Sequence, residues 1–295
     1  PEVRTAISPS CPVVLRLISK RFPELIPNII PVAPPREVAA KHIRRLLMRR
    51  LKVEDEDIGL FHVTHCAANI AAINHPLTVQ TSFLDGCLGL HDLFGGVLRN
   101  LKKLTEEDRE KMLFKAGGAG IGWGLGREQP GVNLGEGRSL YVSGLAETIE
   151  VLDQISAGRL AGFRYIECLT CPDGCLGGPL TVDNRFMARA TLNKLLQMFG
   201  TVTRVRPVDI APYMAQGFFL TDKEIRPQLI HVDDDPLVAM KKMKRMNKLA
   251  ARLSGRLCGA CGAPDCRTLA EDVVLGRASL DDCPFYEGDE PGGEG

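Results

Sequence analysis

The sequence predicts an α/β fold. Short apolar, strand-like runs alternate with segments of helical apolar spacing. At 295 residues, 44% hydrophobic and 25% charged, the composition is that of a globular protein able to bury a core across one or two domains. A third observation gives that scaffold a purpose. Seven of the ten cysteines lie in two windows, 168–175 and 258–283. Disulfide frameworks belong to small secreted domains, whereas clustered thiols in a chain of this size point to metal. The formal net charge of +1 gives no pull toward nucleic acid. No apolar run reaches the length of about 18 residues that a membrane helix needs. The first residues show neither an initiator Met nor a signal peptide, so a cytoplasmic chain, truncated or processed at its start, is expected.

The elements follow in order. Residues 12–22 and 35–51 carry helical spacing with basic faces, and Pro34 and Pro35 suit a helix start. "GLFHVT" (59–64) reads as a strand. Residues 89–104 and 105–116 read as helices, with Thr105 as N-cap and Asp108 three residues on. "SLYVSG" (139–144) is a strand, and the helix after it closes at Gly158. "FRYIECL" (163–169) is a strand, and 184–199 a helix. The glycine-dense stretch 117–137 lacks the spacing of a phosphate-binding loop and reads as a mobile surface loop. Residues 240–256 carry seven basic residues and no acid. There Met240, Met243, Met246, Leu249 and Leu253 form one stripe, expected to pack on the core with the cations in water. The tail after residue 285 is acidic, glycine-rich and expected to be disordered.

The second cysteine window reads Cys258-Gly-Ala-Cys261-Gly-Ala-Pro-Asp-Cys266, with Cys283 farther on. Four thiolates converge equally on zinc or on a 4Fe–4S cubane. Zinc ribbons pair two Cys-x-x-Cys knuckles, and this spacing does not, so the cubane is favoured. In the first window, Cys171 and Cys175 on a glycine-rich turn supply two ligands. Two more must come from elsewhere: Cys11 and Cys66 are the candidates, and Cys87 and Cys168 read better as small buried apolar residues.

"LCGACGAPDCRTLAEDVVLGRASLDDCPF" resembles the small four-cysteine 4Fe–4S domain of corrinoid iron–sulfur proteins. The rest of the chain, over roughly 5–285, resembles the iron-only (diiron) hydrogenase family, in its divergent sensory branch. That family's three motifs look like Ser8-Pro-Ser10-Cys11-Pro12, His65-Cys66-Ala-Ala-Asn69, and Glu167 through Cys171-Pro-Asp-Gly-Cys175. The resemblance implies a two-lobed α/β hydrogenase-like domain over 1–235, with the first part of one lobe missing. A basic linker helix (236–256), a small iron–sulfur domain (257–285) and the tail (286–295) would follow. It implies one cubane on Cys11, Cys66, Cys171 and Cys175, with Cys175 bridging to a diiron subcluster that carries carbonyl and cyanide. A second cubane would sit on Cys258, Cys261, Cys266 and Cys283.

The departures from the family pattern bear on chemistry. The proton-donating cysteine matches Ser10, and a hydroxyl is a poorer relay than a thiol. The cyanide-anchoring lysine matches Asn69, which donates without charge assistance. Ala72 and Ile30 stand at a glutamate and a serine of the usual proton path, and Leu169 stands at a methionine. His62 and His65 read as satisfied strand-end histidines or as donors that tune the cluster. Glu167 reads as a structural acceptor. The expected function is slow or sensory hydrogen oxidation and proton reduction, served by a redox partner protein or a fused ferredoxin or sensory output domain. The rival is an electron-transfer or scaffold protein with two cubanes and no diiron site.

Overall fold

The computed structural model describes residues 4–105, 107–108, 118–125, 138–200, 205–228, 232–256 and 258–286. Strand β1 (Ala6–Ile7) leads into helix α1 (Pro12–Arg21), and helix α2 is Pro35–Leu51. Strand β2 (Phe61–Thr64), helix α3 (Ala67–Asn74), strand β3 (Gly86–Gly89) and helix α4 (Leu90–Leu101) follow. A short helix α5 (Gly118–Gly122) precedes strand β4 (Ser139–Ser143), helix α6 (Leu145–Ser156) and strand β5 (Tyr165–Leu169). Helices α7 (Arg185–Phe199), α8 (Pro207–Ala215), α9 (Pro236–Arg252) and α10 (Cys266–Val274) complete the order.

Two parallel sheets result, as helix-linked strands require. One runs β1-β5-β4, with Ile7 beside Ile166 and Val142 beside Cys168. The other pairs β2 with β3, from Phe61 beside Gly86 to Thr64 beside Gly89. Val14, Leu17 and Ile18 recur on one side of α1 and bury against Ile7, Ile166 and Leu152. Cys66, Ala68 and Cys168 belong to the same core, so the floor of the first cysteine site is the hydrophobic core itself. Truncating Ile166, which is fully buried, to Ala would cost about 2–5 kcal/mol. Cys168 is a buried apolar residue, as expected; Cys87 on β3 is only partly buried.

A separate core joins α9 to the cysteine segment behind it: Leu249 and Leu253 pack with Ala263, Leu269, Ala270 and Cys283. Only the second half of the expected stripe takes part. Met246 is buried, while Met240 and Met243 are 54% and 52% exposed, because the apolar partners lie at the C-terminal half of α9 alone. This small core docks on α1 through ion pairs: Arg16 with Asp272, Lys20 with Glu271, and Arg21 with Asp265 at 3.4 Å.

The expected helices at 12–22 and 35–51 and the strands at 59–64, 139–144 and 163–169 form within three residues of those bounds. Thr105 and Asp108 make the expected reciprocal cap, while most of the helix behind them lies outside the described residues. The expected loop at 117–137 is helical over 118–125, and its remainder lies outside the described residues, as does the tail beyond 286. Among the described residues no helix is long and apolar enough to cross a membrane.

Candidate metal centres

Each cysteine of the first set stands where a parallel strand ends. Cys11 follows β1 and is the N-cap of α1; Cys66 follows β2 and is the N-cap of α3. Cys171 follows β5, and Cys175 sits in the 3₁₀ turn Gly174–Gly177. The carboxyl ends of parallel strands are the usual ligand crevice of such sheets, and helix N-termini favour negative charge there. The turn is tight: Asp173 takes φ +60° and Gly174 φ +68°. Asp173 is held in that conformation by Arg185 at 2.8 Å and by Arg189. The backbone N–H of Leu180 donates to the carbonyl of His65 at 3.1 Å, which fastens the turn to the Cys66 segment.

All four thiols line one cavity of about 160 Å³. Ser10, Pro35, Arg36, His65, Asn69, Trp123 and Leu169 are among the other residues of its wall. Burial pushes the Cys66 thiol up to about 11 and Cys171 up to about 12, and it raises Cys175 further still; the charge of Cys11 adds to each shift. Alone, these thiols stay protonated at neutral pH, and only a cationic group among them draws off the protons. Among the described residues no three His, Cys, Asp or Glu side chains converge closely enough for a single metal ion. The four cysteines line one common cavity, and four thiolates are the donor set that a 4Fe–4S group takes.

The polar neighbours divide into two groups. Ser10 Oγ lies 2.9 Å from Ser8 Oγ, and Ser8 Oγ donates to Glu167 Oε1 at 3.3 Å. Trp123 Nε1 donates to the same oxygen at 3.4 Å. Glu167 is 3% exposed; burial raises its carboxyl, against the pull of hydrogen bonds from Trp123, Ser10 and Ser8. Its part as a buried acceptor was legible, but its place at the end of a hydroxyl chain from the cavity was not. On the other side, Asn69 Nδ2 donates to Thr64 Oγ1 at 3.0 Å, and that oxygen accepts from the Cys66 backbone N–H at 3.1 Å. Asn69 thus braces the Cys66 loop. His65 lines the cavity; burial lowers the imidazoles of both His62 and His65, and for His62 the charges of Arg36 and His65 add to it.

The second set surrounds the start of α10. Cys266 is its first residue, and Asp265 caps the helix by accepting from Thr268 N at 2.7 Å. Cys283 follows the 3₁₀ turn Leu280–Asp282. Burial raises Cys261 and Cys266, and Cys258 and Cys283 are among the charges that raise both. Cys261 and Cys266 also pack against the small core that holds Cys283.

Comparison with known proteins finds matches over the segments that carry these two sets of cysteines. The family model for the iron only hydrogenase large subunit, C-terminal domain, matches residues 2–124 and 93–179. A second model, described as "Putative Fe-S cluster", matches residues 255–285. Among solved structures, two FeFe-hydrogenase variants from Chlamydomonas reinhardtii are 14% identical with TM-scores of 0.54. Coverage of both chains is 76% for one and 77% for the apo form. A structure reporting stepwise FeFe-hydrogenase H-cluster assembly is 14% identical, with 76% of both chains covered and a TM-score of 0.55. Comparison with curated proteins finds no match.

Proposed function

The chain belongs to the iron-only hydrogenase large-subunit family, and on that premise we propose that it is a slow or sensory hydrogen-converting protein that carries two cubanes. The observation that supports this reading most is the single cavity shared by Cys11, Cys66, Cys171 and Cys175, drawn from three strand ends. These residues would hold one 4Fe–4S cluster, and Cys258, Cys261, Cys266 and Cys283 the other. A diiron group carried on Cys175, when bound, supplies reversible splitting of dihydrogen.

The protein's own residues do the rest. Leu169, Trp123 and Pro35 keep the cavity wall largely apolar and limit water. Ser10 Oγ receives or gives a proton at the cavity wall, Ser8 Oγ passes it on, and Glu167 Oε1 holds it. A raised carboxyl exchanges protons closer to neutral pH than an ordinary glutamate does. A hydroxyl transfers a proton through a high-energy charged form, so turnover along this route is slow. Electrons pass to and from the second cluster, which docks against α1, and from there to a redox partner protein or a fused ferredoxin or sensory output domain. The expected setting is the cytoplasm.

The test is an infrared spectrum of protein made anaerobically together with diiron maturation enzymes. Carbonyl and cyanide bands from bound iron are expected. A brown protein without those bands would overturn hydrogen conversion and leave an electron-transfer protein.

A further inference from the structure

Arg36 is the cation of the first cavity, and no motif points to it. It is the second residue of α2, and its side chain is 9% exposed. It lines the four-cysteine cavity and also a cleft of about 860 Å³ that reaches Cys261 of the second set. Among the described residues its guanidinium makes no hydrogen bond, and its Nε is buried without a partner. The nearest carboxylate, Glu37, stands 3.5 Å from that Nε, outside hydrogen-bond geometry. Glu37 is engaged elsewhere: it accepts from Ser82 Oγ at 3.0 and 3.1 Å and from the Phe83 N–H at 3.0 Å. A buried cationic donor without an acceptor is unfavourable, so an acceptor for Nε is expected from whatever fills the cavity. The thiols facing it supply the sign. Four thiolates around an iron–sulfur core leave a net anion in either oxidation state.

We propose that Arg36 donates hydrogen bonds to an anionic ligand of the iron group held by Cys11, Cys66, Cys171 and Cys175, and so sets that group's reduction potential. This rests on the iron–sulfur reading of the cavity. The acceptor is a sulfur of the cubane or a cyanide of a diiron group; both are small anionic iron ligands. Asn69 does not fill this role, since it is neutral and spends a donor on Thr64. A cation beside the cluster favours the reduced, more negative state, so its loss lowers the potential.

The full-length protein is compared anaerobically as wild type, Arg36→Gln and Arg36→Lys, with iron content, and midpoints from a redox titration followed by electron paramagnetic resonance. Iron for two clusters in the wild type upholds the underlying reading; iron for the second cluster only would sink that reading and this inference with it. With iron retained, Arg36→Gln is expected to lower one midpoint so that the reduced-to-oxidised ratio at the wild-type midpoint falls about tenfold, about 59 mV for a one-electron couple. The other midpoint stays, and Arg36→Lys regains most of the shift. Unmoved midpoints at full iron would overturn the proposal while leaving the iron–sulfur reading standing. Should Arg36→Gln fail to hold iron, Arg36→Lys decides: regained iron and midpoint support the charge role, and an equally empty protein overturns it. In co-matured protein, cyanide bands displaced by Arg36→Gln identify cyanide as the acceptor, and unmoved bands with a lowered midpoint identify cluster sulfur.

Discussion

Gly262 lies against Ala67 so closely that a Cβ on the glycine would stand 3.1 Å from the Ala67 carbonyl oxygen. Gly262 follows Cys261 and Ala67 follows Cys66, so the two cysteine sets meet backbone to backbone. Gly262 has φ +82°, a region that L side chains rarely adopt. Gly262→Ala should therefore cost about 1–2 kcal/mol in backbone strain and push the two loops apart. Stopped-flow reduction of the full protein should show slower transfer between clusters, with iron content unchanged. Equal rates and equal unfolding midpoints would show that this contact carries neither docking nor electrons.

The docking face next to it is ionic. Lys20 pairs with Glu271, and both side chains are nearly buried, at 6% and 7% exposure. Removing one partner strands a buried charge, so Lys20→Met should cost about 3–5 kcal/mol, read by denaturant unfolding. Replacing both, Lys20→Met with Glu271→Leu, should recover most of that loss. A double variant as unstable as the single would mean the pair holds the two parts together by more than mutual compensation.

How much of this could be read from the chain depends on residue type. Cysteine is scarce, and Cys171 and Cys175 stand out on their glycine-rich turn, whereas Cys11 and Cys66 joined them through the likeness of their motifs to the family. Helix α1 announced itself through the helical apolar spacing of residues 12–22. Arg36 did not, because a basic residue in the first turn of a helix usually faces water, and only the folded wall buries it. Met240 and Met243 were misread for the converse reason: periodicity marks a stripe but not the length of its partner. The hydroxyl chain from Ser10 to Glu167 joins residues far apart in sequence, and the approach of Gly262 to Ala67 is tertiary throughout. Neither has a local signature.

The cysteine turn tests the first site without touching a thiol. A Cβ on Gly178 would lie 2.4 Å from the His65 carbonyl oxygen and 2.9 Å from its ring. Gly178→Ala must therefore move the turn that carries Cys175 away from the segment that carries Cys66. About half of the protein's iron should be lost, at a stability cost of about 1–3 kcal/mol for overpacking. Full iron content in the purified variant would show that the turn tolerates the shift and that this approach does not set the site.

Glu167 gives the pH prediction, with a definite sign. Burial raises its carboxyl above the unfolded value, so across the window between those two values the folded protein binds more protons than the unfolded chain. Its contribution to stability is then greatest below the unfolded carboxylate range near pH 4.3 and is lost as pH rises through the folded value. Glu167→Gln keeps the shape and an oxygen to accept from Trp123 and Ser8, but it cannot ionise. The variant should lose this part of the decline of stability with rising pH, measured as denaturant midpoints from acid to neutral pH. Loss of the proton-holding group should lower hydrogen conversion by about 10²–10⁴-fold in co-matured protein. A variant with the wild-type pH profile but lowered conversion would place the raised carboxyl elsewhere. One with an altered profile and full conversion would reduce the Ser10–Ser8–Glu167 chain to a structural brace.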